Sequence, residues 1–154
     1  MSWLSNEQII NKVKRNGDIK CKNAFYGVYP LNCLPQSIPQ LPIFIVVNTH
    51  TANLKGEHWK TIFIDKNRRG EVFDSLAQPM KAMLIRWMNR FTRSWKKNPK
   101  RYQHANSTTC GAFALYYIMK RLDFPSLESF TSKTFSPSLT VNERFVHKFY
   151  KALK

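Results

Sequence analysis

Three features of this 154-residue chain predict an α+β fold. A capped amphipathic helix opens it, three short apolar runs rich in β-branched residues follow, and helical periodicity takes over from residue 80 onward. Helix, then strands, then helices implies one domain over residues 1–154. A small mixed or antiparallel sheet should carry its chemistry-bearing residues and pack against the helices that follow.

The first helix is expected over residues 6–15. Ser5-Asn-Glu-Gln8 has capping-box spacing, and Ile9, Ile10 and Val13 follow before Asn16-Gly17 stops the pattern. Residues 18–41 carry Pro30, Pro35 and Pro39, with Pro42 just beyond, and read as irregular, extended chain. The apolar run 43–47 reads as a buried strand. Runs 59–64 and 70–74 read as two more, joined by a hairpin through the polar residues 65–70. Met80, Leu84, Trp87, Met88, Phe91 and Trp95 fall on one helical stripe, with Arg86, Arg90, Arg93 and Lys97 opposite. Residues 110–122 form a helix apolar nearly all round, the expected centre of the domain. A Ser/Thr-rich loop follows Pro125 and Ser126. Thr140-Val-Asn-Glu143 reads as a capping box leading a last helix, with Phe145, Val146, Phe149, Tyr150 and Leu153 facing inward.

Composition narrows the function classes. Apolar residues at 43% and aromatics at 14% supply a core, which excludes wholesale disorder. No apolar run approaches the ~20 residues of a membrane-spanning helix. The start, Met1-Ser-Trp-Leu, has neither the basic nor the apolar region of a secretory signal. Three cysteines, Cys21, Cys33 and Cys110, do not read as a disulfide framework, so a reducing intracellular compartment is expected. Twenty-five Lys and Arg against nine Asp and Glu give +16, which points to a polyanionic partner, nucleic acid before membrane. Residues 81–101 hold eight basic residues and no acid. Arg86, Arg90, Arg93 and Lys97, with Lys100 and Arg101 beyond, are therefore candidate DNA contacts. The plainer reading makes them the solvated back of a core helix.

Three residues sit where elements begin or end. His58 precedes the strand starting at Trp59, and Asp74 ends its hairpin partner, so the two fall at matching ends of paired strands. A carboxylate there would hold an imidazole in one tautomer and stabilise its charged form. Cys110 opens the buried helix behind Asn106, Ser107, Thr108 and Thr109, all acceptable capping residues. At a helix N-terminus a thiol's pKa is expected to fall, and a nearby histidine favours the thiolate further. Each residue alone is ordinary: a buried small hydrophobe, a structural histidine, a turn cap.

Asn48-Thr49, Gly56-Glu-His-Trp59, Phe73-Asp74 and Gln103-His-Ala-Asn-Ser-Thr-Thr-Cys110-Gly111 closely resemble motifs of the adenovirus protease (adenain) family. That family's relatives include proteases of Polinton/Maverick elements and similar DNA viruses and, more distantly, the Ulp1-type deSUMOylating proteases. Phe25-Tyr-Gly27 is similar to the adenain start, and the likeness runs over nearly the whole chain. The resemblance implies a papain-like fold and mechanism, with His58 as base, Cys110 as nucleophile, Gln103 in the oxyanion hole and Asp74 in the third position. Without the resemblance Gln103 would pass for a surface residue. Adenain uses viral DNA as a cofactor, and +16 fits that habit. Its peptide activator is disulfide-linked, but no cysteine lies between Cys33 and Cys110, so only a non-covalent peptide activator is left open here. The chemistry itself requires no metal and no cofactor.

The leading expectation is a monomeric cysteine endopeptidase that cleaves viral or transposon precursor (capsid or core) proteins during virion maturation, stimulated by DNA, in the host nucleus and virion, without a membrane partner. An isopeptidase acting on ubiquitin-like modifiers is the alternative on the same fold. A catalytically inactive nucleic-acid-binding protein is the alternative of a different class.

Overall fold

The computed structural model describes residues 3–49 and 58–154. Gly56 and Glu57 of the His-Trp motif, with the polar loop before them, lie outside the described residues. Helix α1 (Asn6–Asn16) starts at the predicted capping box, both arms of which form between Ser5 and Gln8. Residues 34–42, with Pro35, Pro39 and Pro42, are irregular as expected, but the first part of that segment forms regular elements. Asp18 caps a short helix α2 (Ile19–Ala24), which runs into strand β1 (Phe25–Pro30) and a single 3₁₀ turn. Six residues of α2 are too few to show periodicity, and β1 gains its stability from pairing with a distant strand. At Gly27 the β1 register shifts, with φ of 153°, a conformation open to glycine and rarely to other residues.

Strands β2 (Ile43–Asn48), β3 (Trp59–Ile64) and β4 (Arg69–Phe73) match the expected runs within a residue. Asp65 takes the backbone N–H groups of Asn67 and Arg69 and so shapes the β3–β4 turn. A fifth strand, β5 (Ser94–Lys97), completes the sheet. Its order is β1-β2-β3-β4-β5, antiparallel in the middle and parallel at both edges. It is the mixed sheet of an α+β fold.

Helix α3 is shorter than its stripe suggested. It covers Ala82–Phe91, and the residues after it turn back as β5, parallel to β4. The apolar stripe did find the core, because Met80 and Trp95 still pack against Leu84, Trp87, Met88 and Phe91. The basic face does not survive as one helical row: Arg86 and Arg90 are on α3, Arg93 precedes β5 and Lys97 ends it. The reason is a competing pairing. Trp95 aligns with Gly70 in the sheet, where a Cβ on Gly70 would clash with the Thr92 and Met88 side chains.

Helix α4 (Cys110–Lys120) is buried along almost its whole length. A 3₁₀ turn follows, and the expected Ser/Thr-rich loop is instead helix α5 (Leu127–Thr134), capped by Ser126. Helix α6 (Leu139–Ala152) begins before the predicted capping box, capped by Ser138. Thr140 and Glu143 therefore lie inside the helix and are free to act elsewhere. Phe145, expected inward, is 41% exposed, although its ring stands 5.0 Å from that of Tyr116.

Strand alternation splits the core in two. Phe44, Val46, Trp59, Phe63 and Phe73 face α4, and Ile43, Ile45, Val47, Ile62, Ile64 and Val72 face α3. On the α4 side Glu71 and Arg121 form a two-pronged buried ion pair, with distances of 2.7 and 2.9 Å, and the Tyr117 hydroxyl also donates to Glu71.

Candidate active site

His58 is placed by the continuation of the β2–β3 ladder. Its carbonyl accepts from the Thr49 N–H at 3.0 Å and lies 3.3 Å from the Thr49 hydroxyl. Asp74 follows β4 directly, and its Oδ1 lies 2.6 Å from His58 Nε2. The same oxygen accepts from the Leu76 N–H, while Oδ2 accepts from the Gln78 N–H, both at 2.9 Å. These bonds hold a tight turn in which Ala77 has a φ of 49°. Burial pushes the Asp74 carboxyl up, but His58, Lys60 and the Leu76 N–H outweigh it and hold the group below its ordinary value. Asp74 is the carboxylate partner that the strand ends suggested.

Asn98, buried at the end of β5, holds the Asp74 backbone at both polar atoms: it accepts from the N–H at 2.8 Å and donates to the carbonyl at 2.7 Å. Ser75, the next residue, ties this turn to Gln103. Its carbonyl accepts from the Tyr102 and Gln103 N–H groups, and its hydroxyl donates to Gln103 Oε1 at 2.5 Å. Gln103 is completely buried (0% exposed) and its amide donates to the Ser107 carbonyl at 2.9 Å. One Nε2 hydrogen suffices for that bond, and the amide carries a second.

Cys110 is the first residue of α4, beside Trp59. The backbone N–H groups of Trp59, Gly111 and Cys110 itself point at its sulfur. Gly111 makes this packing fit: a Cβ there would come within 2.8 Å of Leu4, whose carbonyl accepts from the Trp59 indole. Thr109, expected as a cap, makes no side-chain cap hydrogen bond and has φ −89° and ψ 3°. Its hydroxyl donates to Glu143 on α6 instead, so the first N–H groups of α4 stay available at the sulfur.

The expectation of a lowered thiol pKa is corrected. Burial pushes the Cys110 thiol up to about 11, more than the surrounding N–H groups pull it down. The helix N-terminus supplies a partial charge, whereas burial removes most of the water that would solvate the thiolate.

His58, Asp74, Gln103 and Cys110 thus meet at one place, where the starts of β3 and α4 adjoin the end of β4. Four further groups support them that sequence reasoning missed: Lys60, Ser75, Asn98 and Glu143. Lys60 alone left a sequence signal, as the one charged residue inside the buried strand β3. The basic residues lie elsewhere. Arg86, Arg90, Arg93, Lys100 and Arg101 are exposed, while Lys97 is half-buried with its amine 3.0 Å from the Gln78 carbonyl. Pocket-lining side chains beside the Gln103–Cys110 loop include Arg144, His147, Lys148 and Lys151 of α6, a second basic face outside the acid-free segment. None of the three cysteines is in a disulfide.

No family model matches the chain. Among curated proteins it is similar to the SUMO-1 cysteine protease of African swine fever virus, 34% identical over 101 residues. The same figures hold for a strain in which that protein is named simply a cysteine protease. The alignment covers 56% of this chain and 36% of the relative, so the chain matches about a third of the length of those proteins. Two crystal structures of the African swine fever virus pS273R protease superpose with TM-scores of 0.66 and 0.65, at 22% and 21% identity. Each superposition covers 94% of this chain and 66% of the other. The α+β fold of this chain is therefore the fold of that protease, and its sequence is homologous in part to a viral cysteine protease.

Proposed function

We propose that this chain is a cysteine endopeptidase in which Cys110 is the nucleophile, His58 the base, Asp74 the group that orients the base, and Gln103 an oxyanion donor. The observation that carries this reading is the 2.6 Å contact between His58 Nε2 and Asp74 Oδ1. It commits one ring nitrogen to the carboxylate, while Nδ1 is buried with no hydrogen-bond partner among the described residues. A neutral imidazole with its hydrogen on Nε2 offers the Nδ1 lone pair to a proton.

The reaction follows from those roles. Nδ1 takes the Cys110 proton, and the sulfur adds to the scissile carbonyl carbon. The oxyanion is met by the second Nε2 hydrogen of Gln103 and by the Cys110 N–H. Collapse of the intermediate breaks the C–N bond, and His58 returns its proton to the leaving amine. Water, deprotonated by His58, then hydrolyses the thioester and restores the thiol. Burial raises the Cys110 thiol, so removal of its proton relies on the base.

The substrates we propose are precursor proteins of a virus or mobile element, cut during particle maturation in the host nucleus and virion. The viral origin of the relatives supports this. DNA as a stimulating partner is supported by the net charge of +16 and by exposed Arg86 and Arg90 on α3. A second reading, cleavage after a ubiquitin-like modifier, is favoured by the name of the relative, SUMO-1 cysteine protease. The test is labelling with a peptidyl vinyl sulfone, followed by turnover of a fluorogenic peptide library and of a ubiquitin-like fusion. Modification of Cys110 that is lost in His58→Ala supports the mechanism, and unlabelled Cys110 in an active protein rejects it. Fusion cleavage without peptide turnover selects the second reading.

A further inference from the structure

Lys60 lies in the middle of the sheet, two residues after His58, and is 2% exposed. Lysines are almost never buried so fully unless their charge is paired. Its Nζ stands 3.4 Å from Asp74 Oδ2, the oxygen opposite the one that meets His58. The Asp74 carboxylate is thus shared, with His58 and the Leu76 N–H on Oδ1, and Lys60 and the Gln78 N–H on Oδ2.

We propose that Lys60 is a positioning residue of the reaction described above, acting through Asp74: it balances the carboxylate charge and so keeps His58 neutral and able to accept the Cys110 proton. The inference rests on that mechanistic reading. Its logic is charge counting around a buried carboxylate. With Lys60 protonated, Asp74 ionised and His58 neutral, the buried group sums to zero. A second proton on His58 would leave an uncompensated positive charge with little water to solvate it. Without the ammonium, the lone buried carboxylate would draw that proton onto His58, and a base already protonated cannot activate a thiol.

The surroundings act on the same balance. Lys81 before α3 and Lys97 at the end of β5 both oppose the charge on Lys60, and burial opposes it more strongly. Asp74 favours it, by ion pair and hydrogen bond, yet the net effect holds the Lys60 amine below its ordinary value. Among the described residues, the charged group that meets His58 is Asp74, and Asp74 also acts on Cys110 at the start of α4. This device explains why a lysine is buried in β3 among Trp59, Ile62, Phe63 and Ile64. A purely structural lysine would anchor the 74–78 turn and leave the titration of His58 alone.

Histidine-selective NMR titration of the full chain in a Cys110→Ala background separates these roles and needs no activity. Lys60→Met is expected to move the His58 titration midpoint upward by about one pH unit, and Lys60→Arg to leave it nearly in place. In chains with Cys110 intact, the acid limb of kcat/KM should move the same way, with KM changed little. A folded Lys60→Met protein with an unmoved midpoint overturns the proposal. Should Lys60→Met fail to fold, the Lys60 Cε resonance of the unsubstituted chain decides. An ammonium shift held between about pH 5 and 8, responding to the His58 titration, supports the coupling, and a neutral amine in that range refutes it. A chain without peptidase activity would remove the proposed function, while the NMR midpoints would still accept or reject the charge coupling.

Discussion

Thr109 donates its hydroxyl to Glu143 of α6 at 3.1 Å, and the same carboxylate accepts from the His104 N–H, also at 3.1 Å. One side chain from the last helix thus holds both ends of the loop between Gln103 and Cys110. His104 adds a 3.1 Å contact to Thr140 on the same helix. The loop contains no regular secondary structure, so its shape depends on these bonds and on Ser107, which accepts from the Gln103 amide.

Glu143→Gln should therefore lower kcat more than it raises KM. A glutamine keeps one acceptor and loses the other, which slackens the loop that presents Gln103. Removing one oxyanion donor outright costs about 10²–10³-fold, and the partial misalignment here is expected to cost about tenfold. Steady-state kinetics on a peptide substrate check this, with an unchanged kcat contradicting it.

Replacing Cys110 or His58 by Ala should abolish turnover and leave the circular dichroism spectrum intact. Asp74→Asn has a second consequence. The four groups named on the Asp74 carboxylate all present donors to it, so an amide NH₂ would face at least one of them. The expected loss is about 2 kcal/mol of stability, together with reduced activity. Because Asp74 is held below its ordinary value of 3.8, its contribution is present above that value and lost as pH falls beneath it. Urea midpoints measured down the acid range should fall for the native chain and fall less for Asp74→Asn.

Cysteine alkylation should be ordered by burial and base. Cys33 is exposed, whereas burial pushes both Cys21 and Cys110 up to about 11. Iodoacetamide should modify Cys33 first near neutral pH, Cys110 with help from His58, and Cys21 last. In His58→Ala, Cys110 should react only as pH approaches the alkaline range. Each buried thiol's folded pKa exceeds its ordinary value of 9.0, so its stabilising effect is full below that value and lost as pH rises through about 11. Peptide mass mapping across pH provides the order.

The Glu71–Arg121 pair should be costly to break singly. Arg121→Met leaves Glu71 buried with only Tyr117 to donate, and is expected to cost about 3–5 kcal/mol by denaturant titration. Glu71→Leu with Arg121→Met should recover much of that loss, because the uncompensated charge is gone.

DNA affinity should follow the exposed arginines and not the whole basic run. Arg86→Gln with Arg90→Gln should flatten the slope of log affinity against log salt by about 0.9 for each phosphate no longer neutralised. Lys97→Gln should matter less, since its amine is already spent on the Gln78 carbonyl. Fluorescence anisotropy at two salt concentrations tests this, and an unchanged slope in the arginine pair rejects α3 as a DNA-binding element.

Much of the molecule was legible in the chain because it depends on local physics. The capping box at Ser5, the three apolar runs and the turn at Asp65 all work over a few residues, and each stands where the sequence put it. The motifs around His58, Asp74, Gln103 and Cys110 fixed on residues that the fold brings to one place. What tertiary structure decided is whatever rests on partners distant in sequence. Residues 94–97 continue a helical stripe by periodicity, yet pairing with β4 makes them a strand, because backbone hydrogen bonds to a sheet edge outweigh a weak local preference. The helix-start position of Cys110 favours a thiolate, yet burial beside Trp59 reverses the sign. Lys60, Asn98 and Glu143 could acquire their roles only when β3, β5 and α6 came together around Asp74 and the loop before Cys110. A side chain's charge and hydrogen-bonding groups are read locally; its burial and its partners are set by the whole fold.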